Sequence, residues 1–377
     1  MNRRELLKSA GAFGLASVAG LPASASVAAG NGAAASQVTT DIIRLKLRHT
    51  WTTVMSASNY RDTFFVHFKH DGITGIGEGA PIVRYKEDAQ GAQVAVNAIK
   101  PMLDASNPEY FQKVMTEVNH RIPGQWAGKA AVDIALMDWM GQKLGVPLYE
   151  YFGLNAEDAP ITDFSIGIDT PEITRQKVRE AADFPILKIK VGLDTDEQTI
   201  AAVRSVTQKP LRVDANEGWT DREVAARKID WLSKQNVQFV EQPMPADRLE
   251  DLRWLHERAA LPLMGDESCR HPEDIPKLVG IFDGLNIKLD KTGGMGTAFL
   301  MIQMARALGF KTMLGCMVSS SCSITAAAHL SPLVDYADLD GNLLLSNDPY
   351  RGVTVDHGKL ILPRRPGLGL VHARSAA

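Results

Sequence analysis

Six charged residues recur along this 377-residue chain at a nearly constant interval, and that rhythm restricts the fold more than any other feature. Lys190, Asp214, Glu241, Asp266, Lys288 and Asp338 are separated by 24, 27, 25, 22 and 50 residues, the last gap being two periods. Each stands at the end of a short apolar run: LKIKVG, LRVDAN, VQFVEQP, PLMGDES, LNIKLDK and YADLDG. An interval of about 25 residues accommodates one strand, one helix and two loops, the repeating unit of a (β/α)8 barrel. Charges at the ends of successive barrel strands converge on one mouth, where such barrels keep their active sites. TDFSIGI reads as a first strand and KTMLGCM as a seventh without a charged group, which completes eight.

A barrel of roughly 200–250 residues leaves chain over for a smaller domain. IIRLKLRH, TFFVHFKH and GITGIGEG alternate as strands, with His70-Asp71-Gly72 as a hairpin turn. From Asp88 to Gly145 the apolar spacing becomes helical, most clearly in AAVDIALMDWMGQKLG, which ends in a glycine stop. The predicted fold is α/β: an α+β capping domain over 41–160, a (β/α)8-type barrel over 161–345, and a C-terminal segment, 346–377. GVTVDHGKLILP in that last segment reads as a hairpin that returns to the cap.

Residues 1–30 are a different kind of sequence. Arg3-Arg4 ahead of Leu6-Leu7-Lys8, a weakly apolar stretch from Ala10 to Leu21, and Ala23-Ser24-Ala25 match a twin-arginine export signal cleaved after Ala25. A plain secretory signal is the rival, and either places the mature protein in the periplasm. The stretch is too short and too rich in Gly and Ala to span a membrane. A net charge of −3 gives no support for nucleic acid or an anionic membrane as partner. Cys269, Cys316 and Cys322 do not make a disulfide framework and read as small buried hydrophobes.

Residues two apart in a strand share a face. In LKIKV that puts Lys188 and Lys190 together, with Leu187, Ile189 and Val191 on the side that belongs under helices, so both lysines point inward. Asp214, Glu241 and Asp266 end three consecutive strands. Any one of them alone reads equally well as a helix cap, but three in one register repel one another unless a cation sits between them. An all-oxygen donor set favours a hard ion such as Mg2+. Lys288 ends strand six, across the barrel from Lys190 on strand two. The two lysines can approach a bound carbon from opposite faces, which suits moving a proton from one face of a carbon acid to the other.

LKIKVG, RVDANEGW, VEQPMP, GDES and NIKLDKTGG resemble the enolase superfamily, and within it the muconate-lactonizing subgroup, over essentially the whole mature chain. The resemblance implies Mg2+ on Asp214, Glu241 and Asp266, an acid/base pair of Lys190 and Lys288 working through an enediolate, and Lys188 in support. The subgroup contains lactonizing enzymes, succinylbenzoate synthases, acylamino-acid racemases and dipeptide epimerases. Asp338-Leu339-Asp340 resembles the D-x-D pair with which dipeptide epimerases hold a free amino terminus, although Asp340-Gly341 is also good turn chemistry.

The expected protein is therefore an isomerase that inverts the Cα of the C-terminal residue of a small dipeptide. L-Ala-D/L-Glu from murein is the first choice, with Arg61, or less so Arg84, gripping the glutamate side chain bidentately. Either arginine reads equally as an ordinary surface residue. Racemisation of N-acylamino acids, or another reaction of the muconate-lactonizing subgroup, on the same barrel is the alternative, and a non-catalytic exported peptide-binding protein is the distant one. A homo-oligomer is expected. Two positions depart from the resemblance: Ser319 stands where an acidic residue is common, and Asp290, placed by parity on the face of Lys288, where an apolar one is.

Overall fold

The computed structural model describes residues 35–373. The export signal expected over 1–30 lies outside the described residues. Among the described residues, no helix is long and apolar enough to cross a membrane.

The chain opens with an antiparallel meander, β1 (Gln37–Thr52), β2 (Ala57–His70) and β3 (Ile73–Gly79). Asp71 and Gly72, both with positive φ (49° and 78°), form the two-residue turn between β2 and β3. Helices Ala89–Ala98, Phe111–Arg121 and Trp126–Leu144 cover one face, closing a core around Phe64, Val66 and Phe68. The glycines of GITGIGEG explain how close the long helix lies. A Cβ on Gly75, Gly77 or Gly79 would fall 1.9–2.0 Å from the carbonyl oxygens of Ala135, Ala131 and Ala127, so only glycine lets β3 run along that backbone.

Eight parallel strands follow in sequential order: β4 (Phe164–Ile166), β5 (Leu187–Lys190), β6 (Leu211–Asp214), β7 (Val237–Glu241), β8 (Leu263–Gly265), β9 (Gly284–Ile287), β10 (Lys311–Gly315) and β11 (Tyr336–Asp338). Thr162, just ahead of β4, bridges Ala337 of β11 and brings the two edges of the barrel together. Parity divides each strand. Leu187, Ile189, Leu211, Val213, Leu285 and Ile287 pack outward under the helices, whereas Phe239, Met264, Met313 and Tyr336 cluster separately. A one-residue slip would exchange Leu187 and Ile189 with Lys188 and Lys190. Each buried aliphatic contributes about 1.5–3 kcal/mol, so the register is strongly specified.

Buried carboxylates tie the cap to the barrel. Asp133 of the long helix accepts the N–H of Met295 (2.5 Å) and Gly296 (3.3 Å), at the start of helix Met295–Ala307. Glu78 of β3 accepts the N–H of Ser320 (2.9 Å) and Ser323 (3.1 Å), at the start of helix Ser321–Leu330. Both sit where a helix presents unpaired donors and its positive end. Asp138 accepts Ile76 N (2.9 Å) and Leu368 N (2.7 Å), and so joins β3 and the C-terminal segment to the long helix.

One parity argument fails. β9 ends at Ile287, and Leu289–Thr292 is a helical turn, so Asp290 does not share the face of Lys288. It turns instead to the cap, where its Oδ1 accepts the N–H of Ala80 at 2.7 Å.

Candidate active site

The strand ends carry the charged groups to one place. An oxygen from each of Asp214, Glu241 and Asp266 lies within 4.8 Å of the others, and all three residues are buried. Lysines surround them. Lys190 Nζ is 2.6 Å from Asp214 Oδ2, and Lys288 Nζ is 2.7 Å from Asp266 Oδ2. These two lysines stand on β5 and just beyond β9, four strands apart in the eight-strand order, so they flank the carboxylates from opposite sides. Lys188, fully buried, reaches Asp338 at 2.6 Å, Glu241 at 2.7 Å and Asp214 at 3.2 Å.

Electrostatics follow from that crowding. Burial, then the Asp214 carboxylate, pushes Glu241 up to about 7, the response of packed carboxylates that a cation would relieve. Burial works against the charge on Lys188 and Lys288. For Lys188, Asp338 and Glu241 more than offset it; for Lys288, Asp266 and Glu241 do, and both ammoniums are held above the usual lysine range. Burial would likewise raise Asp266, but Lys288 and Lys291 hold it far below the carboxylate range.

The triad fits a hard divalent cation. Its donors are all carboxylate oxygens, converging and buried. Glu241 Oε2 faces Lys188 Nζ at 2.7 Å and is otherwise unpartnered among the described residues. The other oxygen, Oε1, accepts Asn286 Nδ2 at 2.8 Å. Asn286 also explains why the seventh strand carries no charged group. A Cβ on Gly315 would lie 2.5 Å from Asn286 Oδ1, so the amide fills the space that a side chain from β10 would need.

Above the triad opens a cleft lined by residues of both the cap and the barrel. Arg61, Tyr85, Lys190, Lys288, Asp338 and Asp340 are among its walls, while Lys188, Asp214 and Glu241 are buried behind them. Ser165 of β4 holds the two aspartates. Its hydroxyl donates to Asp338 Oδ1 (3.2 Å) and its N–H to Asp340 Oδ2 (2.6 Å). Burial would raise Asp338, but Lys188 and Lys190 hold it low; burial and the Asp338 charge push Asp340 up to about 7. Burial therefore works against a second negative charge beside Asp338, and a cationic group would favour it.

The two arginines differ. Arg84 gives a bidentate pair to Glu217, Nε to Oε2 at 2.6 Å and Nη2 to Oε1 at 3.1 Å. Arg61 lines the cleft and has no ion pair or side-chain hydrogen bond among the described residues, and burial alone lowers its pKa. Ser319 is buried, its hydroxyl on Met317 O, and does not line the cleft. Ser165, Asn286, Gln242 and Lys291 went unread in the sequence. Lys291 and Gln242 stand inside quoted motifs, NIKLDKTGG and VEQPMP, and were within reach; Ser165 has no local signal.

Comparison with known proteins agrees over both parts of the chain. Residues 38–153 match the family described as mandelate racemase / muconate lactonizing enzyme, N-terminal domain, and residues 173–376 match enolase C-terminal domain-like. An L-Ala-D/L-Glu epimerase of Bacteroides thetaiotaomicron is 40% identical over 328 residues, 87% of this chain and 85% of that protein. An L-Ala-D/L-amino acid epimerase of Pedosphaera parvula is 43% identical over 333 residues, 85% of this chain and 94% of that protein. A dipeptide epimerase from Enterococcus faecalis, solved with Mg and the dipeptide L-Leu-L-Tyr, has a TM-score of 0.85 at 33% identity, over 90% of this chain and 100% of that one.

Proposed function

The chain belongs to the enolase superfamily, with a mandelate racemase/muconate lactonizing type of N-terminal domain, and from that premise we propose that it is a Mg2+-dependent epimerase of L-Ala-D/L-Glu. The observation that carries the reading is the placing of Lys190 and Lys288 on opposite sides of a carboxylate triad, in a cleft that also holds the Asp338–Asp340 pair.

The dipeptide ammonium sits against Asp338 and Asp340, drawing both to full ionisation with charge-assisted hydrogen bonds. The Cα of the second residue then lies between the two lysine amines. One lysine takes the Cα proton as a neutral amine, a state Lys288 would reach once a cation engages Asp266 and Glu241, the carboxylates that hold it as an ammonium; the other, as an ammonium, gives a proton to the opposite face. Charge and protons balance, and the enzyme is left with the two roles exchanged, ready for the reverse reaction. Asp214, Glu241 and Asp266 would hold Mg2+, which when bound stabilises the negative charge that develops on the substrate carboxylate as the proton leaves. Lys188 adds fixed positive charge beneath the same point.

Arg61 supports glutamate as second residue. It is a guanidinium on the cleft wall with no ion pair among the described residues, whereas Arg84 is engaged by Glu217. Incubating the protein with a dipeptide library in D2O, and reading Cα deuterium by mass spectrometry, tests the assignment. Absence of Cα label from every dipeptide, L-Ala-L-Glu included, would refute it.

We also propose export to the periplasm, where murein fragments arise, on the basis of Arg3-Arg4 and the stretch that follows. Fractionating cells that express wild type and an Arg3→Lys/Arg4→Lys variant checks this. Equal periplasmic yield of the two would contradict a twin-arginine route.

A further inference from the structure

Asp266 is gripped along its backbone as well as at its side chain. Its N–H donates to Gln242 Oε1 at 2.9 Å, its carbonyl accepts Lys291 Nζ at 2.7 Å, and its Oδ1 accepts the same ammonium at 2.5 Å. Lys291 gives a further bond to Asn286 O at 2.8 Å. An ammonium has three protons, and three acceptors surround this one. The side chain is 0% exposed, in a place where a lysine serves only if every donor is matched.

Gln242 is equally committed. It is 0% exposed, and its Oε1 accepts Ser268 N at 3.1 Å in addition to Asp266 N. Its Nε2 donates to Met244 O and to Ser268 Oγ, both at 2.9 Å, so all four bonds of the amide are made. Its own backbone stands at φ 35°, in the left-handed region, directly after Glu241. A non-glycine residue keeps that conformation only where its surroundings over-determine it, and here the side-chain bonds do so. Gln242 therefore follows one carboxylate of the triad in the chain and clamps the backbone of another.

We propose that Gln242 and Lys291 are positioning residues that hold Asp266 as a ligand for Mg2+, an inference that rests on the metal reading given above. Neither side chain is a ligand. Gln242 aligns the backbone from the β7 side, and Lys291 locks the carbonyl and one carboxylate oxygen from below, which leaves the carboxylate one fixed orientation. Simple charge arithmetic points the other way for Lys291. Removing a positive charge beside a ligand oxygen should tighten a divalent cation, whereas loss of a positioning contact typically weakens metal affinity by about 10–100-fold.

The sign of the change therefore decides. Titration calorimetry of MgCl2 into the full chain, without dipeptide, is done for wild type, Lys291→Met and Gln242→Met, with native folding checked by circular dichroism. Weakening of Mg2+ binding by about 10-fold or more in both variants is expected. A Kd that is unchanged or tightened in either would overturn the inference. Asp290→Asn, buried nearby but outside the clamp, should stay within about twofold; an equal loss there would mean a general response of the region. Should either methionine variant fail to fold, Lys291→Arg and Gln242→Asn decide. The first keeps the charge but not the point geometry, the second keeps the amide but not its reach, and unaltered affinity in both refutes positioning. Absence of Mg2+ binding by wild type would refute the metal reading itself, and the inference with it.

Discussion

Lys190, Lys288 and Lys188 are chemically identical, and their surroundings assign them different work. Lys190 and Lys288 line the cleft and each pairs with one carboxylate of the triad, while Lys188 is locked among three carboxylates behind the wall. Lys190→Ala and Lys288→Ala should each abolish inversion. Each should still exchange the Cα hydrogen of one dipeptide epimer, because the remaining lysine can remove and return a proton on its own side; chiral chromatography with deuterium analysis reads both. Asp338→Asn should lower kcat/KM for free dipeptides by about 10–100-fold, the loss of a charged hydrogen bond, without creating activity on N-acyl amino acids. Arg61→Met should raise KM for L-Ala-L-Glu by a similar factor and leave L-Ala-L-Leu nearly unchanged. Steady-state kinetics on the two substrates separates that outcome from general damage. At this scale the charged residues at strand ends were legible, because their spacing keeps step with the fold. The work of Ser165, Asn286 and Gln242 was not, although Asn286 and Gln242 stand inside the quoted motifs NIKLDKTGG and VEQPMP. Their roles are made by contacts across strands, which leave no local pattern, and Asp290 was misplaced because parity was carried past the end of β9.

At the scale of elements, β3 and the long helix show what alternation alone conceals. GITGIGEG reads correctly as a strand, but its glycines look like weakness until the helix Trp126–Leu144 is laid on them. Gly77→Ala would place a Cβ 1.9 Å from Ala131 O, a backbone atom that cannot swing away. We expect a destabilisation of about 2–3 kcal/mol or more, seen as a lowered thermal midpoint. Because Glu78 in the same strand holds the start of helix Ser321–Leu330, and Met317 and Val318 just before that helix line the cleft, the same variant should also raise KM. Barrel strands were easier to read than the cap. Their outward residues must be apolar, and six of the eight, all but β4 and β10, carry charge at their inner ends, so two independent signals coincide in those six.

At the scale of the whole molecule, His329 couples the barrel to the cap and the C-terminal segment, and burial lowers its pKa to about 4 from 6.5. Nδ1 accepts Tyr149 N at 3.2 Å and Nε2 lies 3.3 Å from Leu368 O, an arrangement that suits the neutral ring with its proton on Nε2. Between pH 6.5 and 4 the unfolded chain binds the proton more readily. The contribution is therefore complete above pH 6.5 and lost as pH falls to about 4, on the order of 3 kcal/mol. Asp133, raised to about 7 by burial, acts with opposite sign and loses stability as pH rises from 3.8 to 7. Thermal melts of wild type and His329→Gln across pH 4–7 isolate the histidine. The difference between the two proteins should shrink as pH falls, and a constant difference would contradict a buried neutral ring.

The most direct measurement is the fate of the Cα hydrogen of L-Ala-L-Glu in D2O with Mg2+. Wild type should produce L-Ala-D-Glu with one deuterium at the glutamate Cα and none at the alanine Cα, and EDTA should stop it. Lys288→Ala should give no inverted product. Inversion without solvent deuterium would point to return of the same proton by a single group. Inversion at the wild-type rate after loss of either Lys190 or Lys288 would contradict the two-lysine account outright.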